Sequence, residues 1–287
     1  MRTLKVILCL LIFTMVKVDM DAQEVIKPPK YPDGVYTKEN TRTKKAISYT
    51  HLREADVMWS KRIWRIIDLR EKINLPLYYP TSPILDRKSL FDVVKTAAIT
   101  NGTITCFNGS DDEFRMDLTK TEVEKMLSAW DSTNQAEDVN NPGVMIAAPI
   151  KKDITSDEIT KYELKEDWFF DKQRSVLDVR IIGLLVIKAK KAEGTGEFVG
   201  DSPLFWIYFP EARPVLANEE VYMRHNDAER RTFDEIFWKR LFSSYVVKET
   251  NVYDRVISEY TSSINALLEA ERVKNDIFTF EHDLWHF

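Results

Sequence analysis

The chain has 287 residues, of which 44% are hydrophobic and 30% charged, the composition of an ordinary soluble globular protein. Its 41 basic and 46 acidic residues give a formal net charge of −5, which excludes the concentrated basic face of a non-specific nucleic-acid binder. The length is sufficient for one large domain or two small ones, each with a buried core.

The first 22 residues have the features of an export signal. A positively charged start precedes an apolar run from Val6 to Val16, and Ala22 marks a cleavage point. The run is too short to span a bilayer as a helix, which takes about 20 residues. Cys9 lies inside the run, whereas the acylated cysteine of a lipoprotein stands at its end. We therefore expect a signal peptide over 1–22 and an exported chain that carries no lipid.

Composition also predicts how the exported chain is organised. Residues 23–45 are rich in Pro, Lys, Thr and Tyr, which favours an extended N-terminal arm, either a mobile leader or an arm that reaches a neighbouring subunit. The remainder, 46–287, is predicted to be a single α+β domain. A polar break at 131–142 divides it into two candidate lobes, 46–130 and 143–287.

The first half of the domain is predicted to be mainly helical. Trp59, Ile63 and Ile67 recur at helical spacing, while Ser89 can cap a second helix and Thr119 with Glu122 can form a capping box. The predicted elements are a helix over 52–73, a helix from Ser89 to Ile99, a strand over 103–107 and a helix from Thr119 to about Trp130.

The second half contains the strongest strand signal. Between Ser175 and Pro210, two runs rich in β-branched and aromatic residues flank a polar, glycine-containing loop, the pattern of a long-looped hairpin. The preceding segment, Ile159 to Phe170, alternates between apolar and charged residues as a half-buried strand does. We therefore predict an α+β fold with an antiparallel or mixed sheet, built on a central hairpin at about 175–210 and covered by amphipathic helices.

Two helices are predicted after the hairpin. Thr232 with Glu235 can cap a helix that runs to Tyr245, and a last helix over 252–273 places Ile264 and Leu268 on its apolar stripe. The aromatic tail that follows is expected to pack back on the domain or on a partner. Residues 55–64 and 233–242 also resemble each other, which indicates either a duplicated unit or chance similarity.

No catalytic, cofactor or metal site is assigned from the sequence. The glycine loop over 194–200 returns to a strand rather than opening a helix, so it is interpreted as a turn and not as a phosphate loop. His282 and His286 could share a metal with Asp283, but a terminal segment orders ligands poorly. Cys106 is the single cysteine after the signal segment and is interpreted as a small buried hydrophobe.

Four long blocks of the sequence resemble one known family. They are R-E-A-D-V-M-W-S-K-R-I-W-R-I-I-D-L-R-E-K-I-N-L-P-L-Y-Y-P (53–80), E-D-W-F-F-D-K-Q-R-S-V-L-D-V-R-I-I-G (166–183), L-F-W-I-Y-F-P-E-A-R (204–213) and F-D-E-I-F-W-K-R-L-F-S-S-Y-V-V-K-E (233–249). In content and order they are similar to the GldN/PorN family of the gliding-motility and type IX secretion machinery of Bacteroidetes.

This resemblance implies a non-catalytic structural subunit of a periplasmic ring, held peripherally at the outer membrane. The implied partners are an outer-membrane lipoprotein of the GldK/PorK type and the periplasmic part of the GldM/PorM motor subunit. The resemblance brings no catalytic residues and no cofactor. The alternatives are an exported hydrolase, which would need a pocket around His225 or Cys106, and a carbohydrate- or peptidoglycan-binding module that uses exposed tryptophans.

The partner interface is predicted where a Lys-Arg pair interrupts an aromatic helix, because Trp and Arg are enriched in the energetic centres of interfaces. The alternative is that these aromatic residues belong to the core and that the basic residues are simply solvated. The predicted interface residues are Trp59, Arg62, Trp64, Arg65, Trp238, Lys239 and Arg240.

Overall fold

The structure is a computed structural model that describes residues 43–84, 87–131, 135–137, 145–147, 150–192, 197–223, 226 and 228–284. The predicted signal peptide, most of the predicted arm and much of the predicted linker at 131–142 lie outside these residues. The signal peptide, the arm and the two-lobe division therefore stay predictions.

The described strands are β1 (Val57–Asp68), β2 (Cys106–Asn108), β3 (Asp117–Leu118), β4 (Ser128–Asp131), β5 (Gln135–Glu137), β6 (Met145–Ala147), β7 (Ile150–Asp153), β8 (Ile159–Asp171), β9 (Val176–Lys191), β10 (Phe198–Tyr208) and β11 (Tyr245–Glu249). Seven of them form one antiparallel sheet in the order β11-β1-β8-β9-β10-β2-β3. Two further antiparallel pairs, β4 with β7 and β5 with β6, lie outside this sheet.

The described helices are mostly short. Ser89 accepts a hydrogen bond from the backbone N–H of Asp92 at the start of α2, and the predicted capping box of Thr119 and Glu122 opens α3. The helices are α1 (Leu75–Tyr78), α2 (Leu90–Lys95, continued by a π-helical turn at Thr96–Asn101), α3 (Lys120–Met126), α4 (Phe209–Leu216), α5 (Phe233–Trp238), α6 (Ile257–Tyr260) and α7 (Ile264–Asp283).

The predicted α+β fold and its central hairpin are confirmed. β9 and β10 are the two arms of the hairpin, and β8 is the alternating strand predicted before it. Leu164, Leu184 and Ile207 are aligned across three neighbouring strands and are all fully buried. The strong β-branched and aromatic content of this region therefore places it at the centre of the sheet.

The helix predicted over 52–73 is wrong, because the middle of this range, Val57–Asp68, forms β1. Residues four apart, such as Trp59, Ile63 and Ile67, share one side of a helix, but they also share one face of a strand. Pairing with β8 on one side and β11 on the other makes β1 an interior strand. Long-range pairing therefore decided between two structures that the local spacing allowed.

The helix predicted from Thr232 to Tyr245 is too long. Thr232 does cap α5, but the helix ends at Trp238, and Arg240 adopts a left-handed conformation with φ 53°. The chain then returns as β11 at the edge of the sheet. Since 55–64 contains most of β1 and 233–242 contains α5, the similarity of these two segments does not reflect a duplicated structural unit.

The last helix begins later than predicted and has a different buried stripe. α7 starts at Ile264 and buries Ala270, Val273 and Ile277, whereas Ile264 and Leu268 are 72% and 63% exposed. Residues 275–283 of the aromatic tail form the end of α7, while residues 285–287 lie outside the described part of the chain. Of the two alternatives predicted for the tail, packing back on the domain is seen at Phe280. Phe280 stacks on Trp59 of β1 with ring centroids 4.4 Å apart.

The two faces of the sheet are covered differently. The face that carries Ile67, Leu164 and Leu184, here called the helical face, packs against α1 to α5, and α7 packs against its β1 and β11 end. The opposite face, here called the open face, carries a small cluster of Trp64, Leu185, Ile187 and Trp206. Consecutive side chains of a strand point to opposite faces, so Leu184 and Leu185 belong to different clusters.

A loop between β2 and β3 covers part of the open face. Phe114 of this loop packs against Phe107, Trp206 and Tyr208, with ring centroids 5.3 to 6.2 Å apart. A Cβ atom at Gly183 would lie 2.5 Å from Cζ of Phe114. Glycine at this position therefore leaves the space in which the loop seats its aromatic ring.

Candidate interaction surface

A cleft of about 560 Å³ lies on the open face, where β1 and β8 meet the loop between β2 and β3. We call it the Trp64 cleft. Its lining residues include Arg62, Trp64, Asp112, Lys165, Asp167 and Asp254. The strand residues of this set come from two directly paired segments, with Trp64 opposite Lys165 and Arg62 opposite Asp167.

Trp64 contacts two lysine side chains in this cleft. The ammonium nitrogens of Lys248 and Lys165 lie 4.6 and 5.6 Å from the centre of its ring, within the range of cation–π attraction. Lys248 also forms an ion pair with Asp254 at 2.6 Å. Lys165 donates a hydrogen bond to the carbonyl oxygen of Asp112, which ties the covering loop to the sheet.

The rim of the Trp64 cleft carries an exposed ion pair. The Arg62 guanidinium donates from Nε and Nη2 to the two carboxylate oxygens of Asp167, at 2.6 and 2.8 Å. The two side chains are 43% and 30% exposed. An exposed pair of this kind contributes at most about 1 kcal/mol to stability, so Arg62 can exchange its partner at low cost.

A second, smaller cleft of about 170 Å³ lies beside α4 and α5. Its lining includes Tyr49, Phe209, Arg213, Phe237 and Trp238, and we call it the Tyr49 cleft. Tyr49 stacks on Trp238 with centroids 5.6 Å apart, and the Arg213 guanidinium lies 4.3 Å from the Tyr49 ring. Burial raises the pKa of Tyr49 above its usual value. The segment before β1 is thus attached to the helices by its aromatic ring.

The predicted interface residues do not lie on one surface. Alternation along β1 places Arg62 and Trp64 on the open face, and Trp59 and Arg65 on the helical face. Only Arg62 of these four has an exposed side chain, because Trp64 is 6% and Arg65 is 9% exposed and Trp59 is partly covered by α7. Arg65 donates to the hydroxyl of Ser244 at 3.0 Å.

The three predicted interface residues at the end of α5 differ from one another. Trp238 is 44% exposed and Lys239 is exposed, so both are available to a partner. Arg240 instead donates to both carboxylate oxygens of Glu166 at 2.9 and 3.1 Å, and the Glu166 side chain is fully buried. Its main contact is therefore inside the subunit. The assignment of all seven residues to a partner interface stays a prediction.

Residues 52–286 match a family model described as "Gliding motility associated protein GldN". This chain belongs to the GldN family. The matched range includes every strand and helix named above. It also includes the residues named as lining the two clefts, except Tyr49. The function is therefore associated with gliding motility, and the predicted family is confirmed. A search of curated proteins found no match to this GldN-family chain.

The described residues of this GldN-family chain contain no group of three His, Cys, Asp or Glu side chains arranged to hold a metal ion. His225 and His286 lie outside those residues, while His282 is exposed and lies 3.7 Å from Asp283. Cys106 is buried on β2, as predicted, and burial raises the pKa of its thiol to about 12, which disfavours a nucleophilic thiolate. None of the described helices has the length and apolar composition needed to cross a membrane.

Glu163 makes stability depend on pH. Burial, with a smaller contribution from the Asp112 charge, raises the pKa of its carboxyl from 4.5 to about 7, although Lys248 opposes the shift. Between these pH values the folded protein keeps a proton that the unfolded chain loses, so the free energy of unfolding falls as pH rises from 4.5 to 7. Replacing Glu163 with Gln is expected to remove this dependence and to add about 3 kcal/mol at pH 8.

Urea titrations of wild type and Glu163→Gln at pH 5 and pH 8 measure this effect. Glu259→Gln is the matched control, since this exposed carboxyl lies on α6 and is not part of the sheet. Equal stability gains at both pH values, or none at pH 8, would contradict the prediction.

Sequence reasoning missed the residues that organise the two clefts. Lys165 stands in a run of alternating charges, where an exposed position is the expected one, yet it is 3% exposed. Arg213 and Asp234 are 21 positions apart and form a buried ion pair. The alternation within E-L-K-E-D-W could have identified which residues of β8 point to the helical face. It could not have shown that Lys165 is buried on the open face, because the loop that covers it, which contains Asp112, is distant in the sequence.

Proposed function

We propose that this protein is a non-catalytic structural subunit of the periplasmic ring of the type IX secretion and gliding machinery. The observation that carries the proposal is the family match over 52–286. The export signal predicted over 1–22 agrees with it, since a periplasmic subunit must leave the cytoplasm.

The proposed partners are those that the family resemblance implies. An outer-membrane lipoprotein of the GldK/PorK type holds the subunit at the membrane, and the periplasmic part of the GldM/PorM motor subunit contacts the ring. The protein is then peripheral to the outer membrane, and its attachment is indirect, through the lipidated partner.

The two faces of the sheet support a role in a ring. A subunit of a closed ring needs two different surfaces, each of which meets a different surface of its neighbour. The open face presents the charged rim of the Trp64 cleft, whereas α7 presents an apolar stripe of Ile264, Leu267 and Leu268, each at least 60% exposed. An exposed apolar stripe of this kind is typical of a protein–protein contact.

Purification from envelope fractions of the native host tests the proposed function. We expect the protein to elute in a large complex that contains a lipoprotein and to leave the membrane when the lipoprotein is removed. Recovery only as a free monomer, without a lipoprotein after mild crosslinking, would overturn the proposal.

Reversing the charge of Arg62 is expected to impair assembly without unfolding the subunit. The Arg62–Asp167 pair is exposed, so Arg62→Glu should cost at most about 1 kcal/mol of stability, but it places two carboxylates together on the rim of the Trp64 cleft. Like charges placed opposite each other weaken an interface, and a loss of about 1.4 kcal/mol already lowers affinity tenfold, so co-purified lipoprotein should fall by about tenfold or more. Quantitative immunoblots of the purified complex measure this loss.

The matched control is Arg70→Glu, which also reverses the charge of an exposed arginine paired with an aspartate, here Asp68. It is expected to keep normal amounts of lipoprotein, because Arg70 belongs neither to the lining of the Trp64 cleft nor to the exposed stripe of α7. Equal recovery of lipoprotein with Arg62→Glu and wild type would remove Arg62 from the interface.

A further inference from the structure

Two residues that line the Trp64 cleft and face each other across β1 and β8 carry buried hydrogen-bond donors. The indole Nε1 of Trp64 is buried and has no hydrogen-bond partner in the described part of the chain. Its cross-strand neighbour Lys165 is 3% exposed. An unpaired buried donor costs about 1 to 3 kcal/mol, so two donors in one cleft favour the binding of an acceptor.

The hydrogen bonds of Lys165 are incomplete. Its ammonium carries three N–H donors. Among the described residues it makes one hydrogen bond, to the carbonyl oxygen of Asp112. The nearest carboxylate oxygen, Oδ2 of Asp112, is 3.9 Å from Nζ, which is beyond hydrogen-bonding distance. The rings of Trp64 and Phe114, at 5.6 and 5.3 Å, attract the charge but accept no strong hydrogen bond.

Three of the four carboxylates that line the cleft have cationic partners other than Lys165, and the fourth, Asp112, has its nearest oxygen 3.9 Å from the Lys165 ammonium. Asp167 is held by Arg62 and Asp254 by Lys248, each at 2.6 Å, while Glu113 pairs with Arg115. Among the described residues that line this cleft, Lys165 is therefore a cation that has no carboxylate oxygen within hydrogen-bonding distance.

The geometry points to a carboxylate-binding site in the Trp64 cleft, filled by an Asp or Glu side chain of a partner protein. The carboxylate accepts hydrogen bonds from the Lys165 ammonium and, after a small shift of the covering side chains, from the Trp64 indole N–H. A volume of about 560 Å³ accommodates such a side chain together with the backbone that carries it. The protein source of the carboxylate rests on the proposed function, whereas the chemistry of the site does not.

A change of Lys165 to Met separates this role from a structural one. Methionine has a similar length, so it keeps the contacts with Trp64 and Phe114 while removing an incompletely paired buried charge. If Lys165 serves binding, Lys165→Met is expected to raise the melting temperature and to abolish carboxylate binding. If Lys165 is only structural, the same change lowers the melting temperature.

The Trp64 indole N–H signal in ¹⁵N-correlated NMR spectra reports directly on the site. The signal is assigned by its loss in Trp64→Phe, or by its NOEs to Lys165 if that variant fails to fold. The probes are acetate and a blocked Gly-Asp-Glu-Gly peptide, and the reference is the Gly-Asn-Gln-Gly peptide at equal ionic strength. We expect a saturable shift with the acidic peptide and affinity weaker by about tenfold or more for the amide peptide and for Lys165→Met.

The outcomes separate the site from the proposed function. The carboxylate site would be overturned if the Trp64 signal showed no saturable shift, which is the result expected if ordered water satisfies both donors. It would also be overturned if the acidic and amide peptides gave equal shifts, or if the acidic peptide shifted the signal equally in wild type and in Lys165→Met. Co-purification of a lipoprotein that is unchanged by Lys165→Met would keep the proposed function and reject this surface as the contact. Peptide binding without any envelope complex would support the site and reject the ring subunit.

Discussion

Replacing Arg240 with Met is expected to lower the free energy of unfolding by about 3 kcal/mol. Its guanidinium holds both oxygens of Glu166, whose side chain is completely buried, and it lies 5.3 Å from the rings of Trp168 and Phe242. Without Arg240, the Glu166 carboxylate keeps a hydrogen bond from the Trp168 indole at 3.2 Å but loses the cation bound to it. Equilibrium urea unfolding followed by circular dichroism measures the loss.

The double variant Arg240→Met with Glu166→Gln is the control for this prediction. Removing both charges leaves no unpaired buried ion, so the double variant should be more stable than Arg240→Met alone. A loss below about 1 kcal/mol in the single variant would show that water replaces the guanidinium, and Arg240 would again be a surface residue. The charge reversal Arg240→Glu is therefore a poor test of assembly, because it is expected to unfold the subunit.

Replacing Asp234 with Asn is expected to have a comparable effect, about 3 kcal/mol. The Arg213 guanidinium donates to both oxygens of Asp234 at 2.8 and 3.2 Å, and the two side chains are 5% and 7% exposed. Asparagine keeps the shape but removes the charge, which leaves Arg213 buried between Tyr49 and Trp238. Urea unfolding measures the stability, and limited proteolysis near Tyr49 reports on whether its segment has detached.

The matched control is Asp178→Asn, which also removes a carboxylate of the Tyr49 cleft. Asp178 is 37% exposed and pairs with the partly exposed Arg174, so its loss should cost at most about 1 kcal/mol. Similar losses in Asp178→Asn and Asp234→Asn would contradict the special role of the buried pair.

These two pairs show why only part of the interface could be predicted. The interface was predicted from Lys-Arg pairs that lie beside aromatic residues. This rule identifies residue types but carries no information on which side chains are buried. Arg62 and Arg240 are identical by that rule, yet one lies on an exposed rim and the other neutralises a buried carboxylate. The partner that distinguishes them, Asp167 or Glu166, is more than 70 positions away along the chain.

The helix caps and the central hairpin were predictable because their signals are local. Ser89, Thr119 and Thr232 each lie at the start of a helix, and a cap depends on groups within three residues of it. The β9–β10 hairpin follows from two long β-branched and aromatic runs joined by a polar, glycine-containing segment. Helix ends were less predictable, since the end of α5 depends on where Arg240 meets Glu166.

The family, the α+β class, the central hairpin and the helix caps follow from the amino-acid sequence alone. The hairpin and the caps depend on residues that are close in the chain, and the family depends on four blocks in a fixed order. Long-range strand pairing was needed to make residues 57–68 a strand, since a spacing of four suits both a helix and a strand face. The tertiary structure also decided which charges are buried. Lys165 and Glu166 are consecutive, but one points to the Trp64 cleft and the other to Arg240, because neighbouring residues of a strand meet different layers of the protein.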